Sequence, residues 1–451
     1  MKRIIAIILS LLIFFSSILV NVIVKDVCSV AKEQMNVVDV QMDGHGSAAL
    51  LSNGELYFWG EYYTDEGYED NRYFPEKIMA DVRTFAFKES VCAVIKNNGD
   101  LYTWGETYFN ILGHETHGID YCTPKKILEN IVDVKIIGLD TCIALSENGE
   151  VYTWGDGKYG SLGNGTTETC MLPQKIMDGV KSIEVDGFTV TALKDDDSLY
   201  AWGSGNLGLK KDENMNTLSP VYIMDGIKKA KVSKNNGWAI SVSGSLYVWG
   251  KEVKNMSWTE LSSAGFINLD SEKMYSPQKF KDNVIDAELF SGNDHFYMVQ
   301  CDDGKLYIGG WWRNKSYYGA PHLLKEDVKS FKITNGGSAL SVITQDNKLF
   351  LLGYYPEVDL DMDIEGVEFI NDVSAYIRDP FVSAVIKTNG DLYMWGDNYY
   401  GQCGTNICSG ENPDLNGNTW ITEPIKLDFA GTGNSSAEPD KDLSNYTEAK
   451  T

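Results

Sequence analysis

Basic residues are in short supply. Lys and Arg number 39 against 64 Asp and Glu, a formal net charge of −25. Nucleic-acid binding rests on neutralising phosphates with Lys and Arg, so that class of partner is excluded. Histidine is scarce as well. The five, His45, His114, His117, His295 and His322, share no common spacing that would make a ring of metal ligands. "HETH" at His114–His117 follows a glycine and lacks the four-residue helical spacing of a zinc protease, so it reads as two solvated loop histidines. No G-x-S-x-G nucleophile elbow occurs: Tyr159 stands two places before Ser161, and His45 two before Ser47. After residue 24 nothing resembles a helical membrane span.

The N-terminus carries the one long apolar run. Lys2 and Arg3 precede Ile4 to Val24, and Ser29-Val30-Ala31 places small residues at the two cleavage positions. This predicts a signal peptide over 1–31, cut after Ala31, with an uncleaved signal-anchor as the alternative. The protein is then expected to be secreted or at the cell surface, touching a membrane only through an uncleaved anchor. The opening "MKRIIAIIL" points to a bacterial host. Removing Lys2, Arg3, Lys25 and Asp26 leaves 36 basic and 63 acidic residues, suited to staying soluble outside the cell.

Eight cysteines are too few for a disulfide scaffold. Cys92 and Cys142 sit in the apolar runs "SVCAVI" and "DTCIALS" and are expected to be core thiols. Cys403 with Cys408, and Cys122 with Cys170, are candidate local bridges. No metal site is expected at the four-residue loop between Cys403 and Cys408, which has no nearby His.

What the chain has in excess is glycine, 43 residues, together with 25 Tyr and 11 Trp. "LYxWG" returns along its length, as "LYFWG" at Leu56, "LYTWG" at Leu101, "VYTWG" at Val151, "LYAWG" at Leu199 and "LYVWG" at Leu246. It weakens to "LYIGG" at Leu306 and "LFLLG" at Leu349, then returns as "LYMWG" at Leu392. The closing glycines are 45, 50, 48, 47, 60, 43 and 43 residues apart. A period of about 48 signals an array of one supersecondary unit. A proline or apolar pair and two alternating apolar runs follow each motif, and Asn-Gly or Asp-Gly pairs turn into the next.

The fold expected is all-β, a β-propeller of four-stranded antiparallel blades over 37–429, with a polar, disordered tail at 430–451. Val37–Gly54 has no "WG" strand before it, and the unit beginning at Leu392 has no second half. Eight first halves and eight second halves count to eight blades. The ring is expected to close by pairing the two terminal half-units into one blade, which removes sheet edges.

"VYTWGDGKYGSLGNG" and "LYMWGDNYYGQCG", with the proline and the "ALS-x-NG" that follow, resemble the repeats of the regulator of chromosome condensation family. The resemblance runs from Val37 to Phe429 and implies a β-propeller, usually of seven blades, which stands as the alternative to eight. Its nuclear member exchanges nucleotide on a small GTPase and touches chromatin, roles at odds with a signal sequence and acidic charge. The Gly-Trp-Arg-His-Thr repeat of a plant photoreceptor relative is absent here. A secreted bacterial relative that inhibits β-lactamase through one propeller face is the nearest in type.

Gly155, Gly157 and Gly160 spell the G-x-G-x-x-G of a dinucleotide loop after a β-type run. No amphipathic helix follows, because "TTETCMLPQKIM" carries Pro173 and then a strand, so the glycines are expected to serve tight packing between blades. No cofactor and no enzymatic activity are expected. The alternating Glu357, Asp359, Asp361, Asp363 and Glu365 form a candidate Ca²⁺ ligand set. It has Ile364 where an EF-hand needs Gly, and a solvated edge face is the favoured reading.

The candidate binding residues are the aromatics that recur beyond the strand: Tyr62, Tyr63, Tyr108, Phe109, Tyr159, Trp311, Trp312, Tyr354, Tyr355, Tyr399 and Tyr400. Equivalent loops of successive blades emerge on one propeller face, so these would ring one surface. One member of each pair is expected to pack between blades and the other to face outward. The expected partner is an unidentified extracellular protein. The alternative is a carbohydrate-binding propeller or adhesin stacking sugars on Tyr and Trp.

Overall fold

The computed structural model describes residues 35–43, 46–63, 69–88, 91–105, 111–114, 123–137, 141–204, 207, 216–233, 236–250, 266–267, 269, 275–291, 295–312, 315–334, 337, 339–355, 360–379, 382–405 and 420–429. They form eight four-stranded antiparallel sheets, each with its strands in chain order. The blades cover 37–79, 82–128, 131–177, 180–224, 227–281, 284–325, 328–370 and 373–426. This is an eight-bladed β-propeller.

The "LYxWG" segments are the third strands. In Val151–Gly155 the Val and Trp are buried and the Tyr is half-buried, a pattern repeated in blades 2, 4 and 5. The Trp is followed by Gly because the chain passes into a conformation closed to other residues. All eight glycines that end these motifs, from Gly60 to Gly396, have φ between 95° and 122°.

Successive first strands touch one another around the ring, as Ile131–Ile137 touches Val180–Asp186, so they are the innermost strands. A side chain on the first strand packs against the blade before it. Ile183, for example, shares a core with Ile143 and Val151 of blade 3. A single hydrogen bond repeats at every joint: the first residue of each blade donates its N–H to the hairpin turn of the preceding blade. Val180 to Gly149 measures 3.0 Å and Val284 to Gly244 2.9 Å.

Ring closure differs from the expectation. Val37–Leu51 does not complete the blade begun at Leu392. Val37–Met42 pairs with Gly46–Leu51 inside blade 1, while blade 8 assembles its four strands from Val373 to Lys426. The Asn-Gly turns are hairpins within a blade, so the blade boundary falls half a unit away, at the two-residue link after the fourth strand. There Asp81, Asn130, Asn283, Asp327 and Asp372 take φ of 54–60°. Both ends of the propeller therefore fall on a blade boundary, and the closing joint is built like the other seven. Val37 N–H donates to Gly390 at 2.9 Å, and Val37, Val40 and Trp59 share a core with Tyr376, Val385 and Trp395.

The glycine loop between the third and fourth strands of blade 3 serves packing between blades. Ser161 O accepts the Trp202 indole N–H of blade 4 at 2.9 Å, and the next carbonyl, Leu162 O, accepts the Thr153 hydroxyl at 2.7 Å. A Cβ at Gly163 would stand 2.7 Å from Trp202 Nε1, and one at Gly157 2.3 Å from Glu168 O. The same tether joins Trp154 to Ile111 O, Trp249 to Leu207 O and, across the closing joint, Trp59 to Gln402 O. Each indole finds its acceptor in the blade before it.

Cys92 and Cys142 are buried thiols, and burial pushes both well above the usual thiol range. Cys403 is a free, buried thiol 3.3 Å from Asp397 O, and Cys170 is half-buried and free. Their candidate partners, Cys408 and Cys122, lie outside the described residues, as do 1–34 and 430–451.

Candidate functional site

The two propeller faces are built differently. On one, every second-to-third-strand turn has four residues and every link between blades has two. The other carries the connections from third to fourth strand, which range from two residues (313–314) to 27 (251–277). Sequence freedom is concentrated on that loop face, where a rigid scaffold can display variable segments.

Three of the five candidate aromatic pairs are not in loops but on third strands at this face. Tyr62 and Tyr63 pair with Asp70 and Glu69, Trp311 and Trp312 with Ser316 and Lys315, and Tyr354 and Tyr355 with Asp361 and Leu360. In blades 1, 6 and 7 the third strand runs past its glycine into an extended hairpin, so the aromatics lie on strand. Trp312 is core: it is 2% exposed and its indole donates to Gly337 O at 2.8 Å. Tyr159 is half-buried against Phe188, centroids 4.4 Å apart, with Lys158 Nζ 5.3 Å from its ring. Tyr399 is 52% exposed and meets Tyr400 edge-on at 4.8 Å. Tyr108, Phe109, His117, Glu357 and Asp359 lie outside the described residues. Asp361, Asp363 and Glu365 alternate along the Leu360–Ile370 strand. Among the described residues no group of three or more His, Cys, Asp or Glu is placed to hold a metal ion.

A second surface lies on the axis. The fifth residue of the first strand is Lys135, Glu184, Lys231, Glu288 and Lys332 in blades 3 to 7, and Ile377, Gln41 and Ala86 in blades 8, 1 and 2. Five consecutive blades thus alternate in sign and three are uncharged. Neighbouring strands exchange ion pairs: Lys231 with Glu288 at 3.2 Å and Asp186 at 3.5 Å, and Lys229 with Asp286 at 2.6 Å. Partial burial raises the Glu288 carboxyl above the usual range, against the pull of Lys231. Burial works downward on Lys231, but Glu288 and Asp186 outweigh it and hold its ammonium above the lysine range. The signal for this ring was present in the sequence as a repeated position, hidden because each residue alone reads as solvated surface.

Lys332 has no ion pair among the described residues. Although its side chain meets solvent inside the ring, the surrounding strands displace enough bulk water to push the ammonium below the lysine range. Asp39 and Glu288 act the other way. A depressed ammonium costs stability below its folded-state pKa, and the cost fades as pH rises toward the unfolded value. Lys332→Met is therefore expected to raise the unfolding free energy measured in urea at pH 7 by at most about 1 kcal/mol, as for a partly hydrated charge. The gain should shrink through the alkaline range. A variant less stable at pH 7 would contradict this.

Comparison with known proteins bears on the repeat itself. The family model described as "Regulator of chromosome condensation (RCC1) repeat" matches residues 148–187, and a second model of the same description matches 131–161 and 383–402. Residues 131–187 and 383–402 thus carry regulator of chromosome condensation repeats. The matched segments hold the Asn-Gly hairpin, the "VYTWG" strand and the glycine loop that tethers Trp202. No curated protein sequence matches the chain. Among solved structures it is similar to human WBSCR16, at 13% identity and TM-score 0.46 over 66% of this chain and 85% of that one. It is also similar to Prp20p of Saccharomyces cerevisiae, at 19% and 0.46 over 64% and 77%. Yeast RCC1 (Prp20) bound to Kap60 aligns at 18% and 0.47 over 80% and 79%.

Proposed function

We propose that this RCC1-repeat propeller is an exported, non-enzymatic binding protein that takes a protein partner on its loop face. The observation that carries the reading is Tyr399. It stands 52% exposed beside Tyr400 on the face where all variation in connection length is gathered, while Trp312 of the same aromatic series is buried. A rigid aromatic left exposed there is the kind of side chain that anchors protein interfaces, where one desolvated residue is often worth about 2 kcal/mol or more. The basic residues and apolar run at the N-terminus support export.

The test is a pull-down from culture supernatant with the secreted chain, followed by affinity measurement on the captured partner. N-terminal sequencing of the same sample should begin at Lys32. Tyr399→Ala should weaken binding by about tenfold or more and leave thermal stability within about 0.5 kcal/mol of the parent. Unchanged affinity in that variant removes the loop face from the interaction. Capture of simple glycans and of no protein replaces the partner class with carbohydrate.

A further inference from the structure

The joint between blades 4 and 5 is underfilled. The fourth residue of the first strand packs against the preceding blade, and in blades 2, 4, 7 and 8 it is Phe85, Ile183, Phe331 and Tyr376. Blade 5 has Ala230. Across the joint, blade 4 presents Thr191, whereas Trp238 at the equivalent place in blade 5 fills the joint with blade 6 beside Ala287. With both sides small, a cavity of ≈ 360 Å³ remains beside the axial charges.

Its wall has three kinds of surface. Leu193, Leu199 and Ala230 make an apolar part. Lys229 and Lys231 are neutralised by Asp286, Glu288 and Asp186. Two further charges of opposite sign, Lys228 and Glu184, line the cavity without an ion pair among the described residues. Lys228 is three residues before Lys231 on an extended strand, so these two positions are separated by about 10 Å along the cavity. Trp238 also forms part of the wall. It is 4% exposed and its indole N–H has no acceptor among the described residues. A buried donor left unmet is costly and needs an explanation, and a ligand acceptor supplies one.

With Lys228, Lys229 and Lys231 set against Glu184, Glu288, Asp286 and Asp186, the site is close to neutral. That disfavours polyphosphates and other multiply charged anions. We propose that this cavity binds a small zwitterion with an aliphatic side chain, a free amino acid or a dipeptide. Its ammonium meets Glu184, its carboxylate meets Lys228 or the Trp238 N–H, and its side chain meets Leu193 and Leu199. The site is independent of the loop face, so the two readings stand or fall separately.

Isothermal titration of the full chain with leucine and with glycyl-leucine tests this. At least one is expected to bind saturably, and which one does so separates the free amino acid from the short peptide. N-acetyl-glycyl-leucine and glycyl-leucinamide, each lacking one charge, should bind at least tenfold more weakly than glycyl-leucine if the dipeptide is the ligand. N-acetyl-leucine and leucinamide serve likewise for leucine. Glu184→Gln should weaken the uncapped ligand about tenfold without altering the melting curve, and Ala230→Leu should abolish binding while folding normally. The proposal is overturned if neither compound saturates at millimolar concentration. It is also overturned if capping has no effect, if ATP binds more tightly than the zwitterion, or if a folded Ala230→Leu chain binds as before.

Discussion

Replacing Trp202 by Ala should cost about 3–5 kcal/mol of folding stability, the range for a large aromatic removed from a core. The side chain is fully buried, packs with Ile143, Ile183 and Val190, and donates its indole N–H to Ser161 O of the preceding blade. The loss therefore combines a cavity with a carbonyl left without its donor. Trp202→Phe separates the two: it keeps most of the apolar contact and should lose about 1–3 kcal/mol for the unmet acceptor. Urea unfolding of both variants at constant slope is the measurement. If Trp202→Phe loses nothing measurable, the indole N–H is not the tether between blades 3 and 4 that its geometry indicates.

The neighbouring position should be as sensitive for a different reason. Gly203 has φ of 112°, and a Cβ there would lie 2.2 Å from Phe188 O. Gly203→Ala is expected to cost at least about 3 kcal/mol, because backbone strain of about 1–3 kcal/mol is joined by a clash that only main-chain movement relieves. Gly187 is the control. Its φ is 58° with nothing within 4 Å of the added carbon, so Gly187→Ala should lose only about 1–2 kcal/mol, the left-handed penalty alone. Equal losses at the two positions would show that torsion alone sets the requirement for glycine after the tryptophan.

The sequence by itself determined the repeat, the strand character of each segment and the count of eight. A period of about 48 with "LYxWG" and Asn-Gly punctuation admits one kind of unit, and local chemistry specifies its hairpins. It also placed a strand after the glycine loop at Gly155, where a dinucleotide loop would need a helix. Blade boundaries were decided by tertiary structure. Whether the strand at Val37 joins blade 1 or blade 8 depends on which edge it pairs with, and both pairings satisfy the same apolar alternation. The Trp202 tether was equally hidden, because its acceptor lies 41 residues away in another blade. So was the axial site: Glu184, Lys231 and Glu288 are ordinary charged strand residues until the ring closes and brings three first strands together. Only packing shows that Thr191 and Ala230 face each other across one joint, and space left between two blades is a property of neither strand alone.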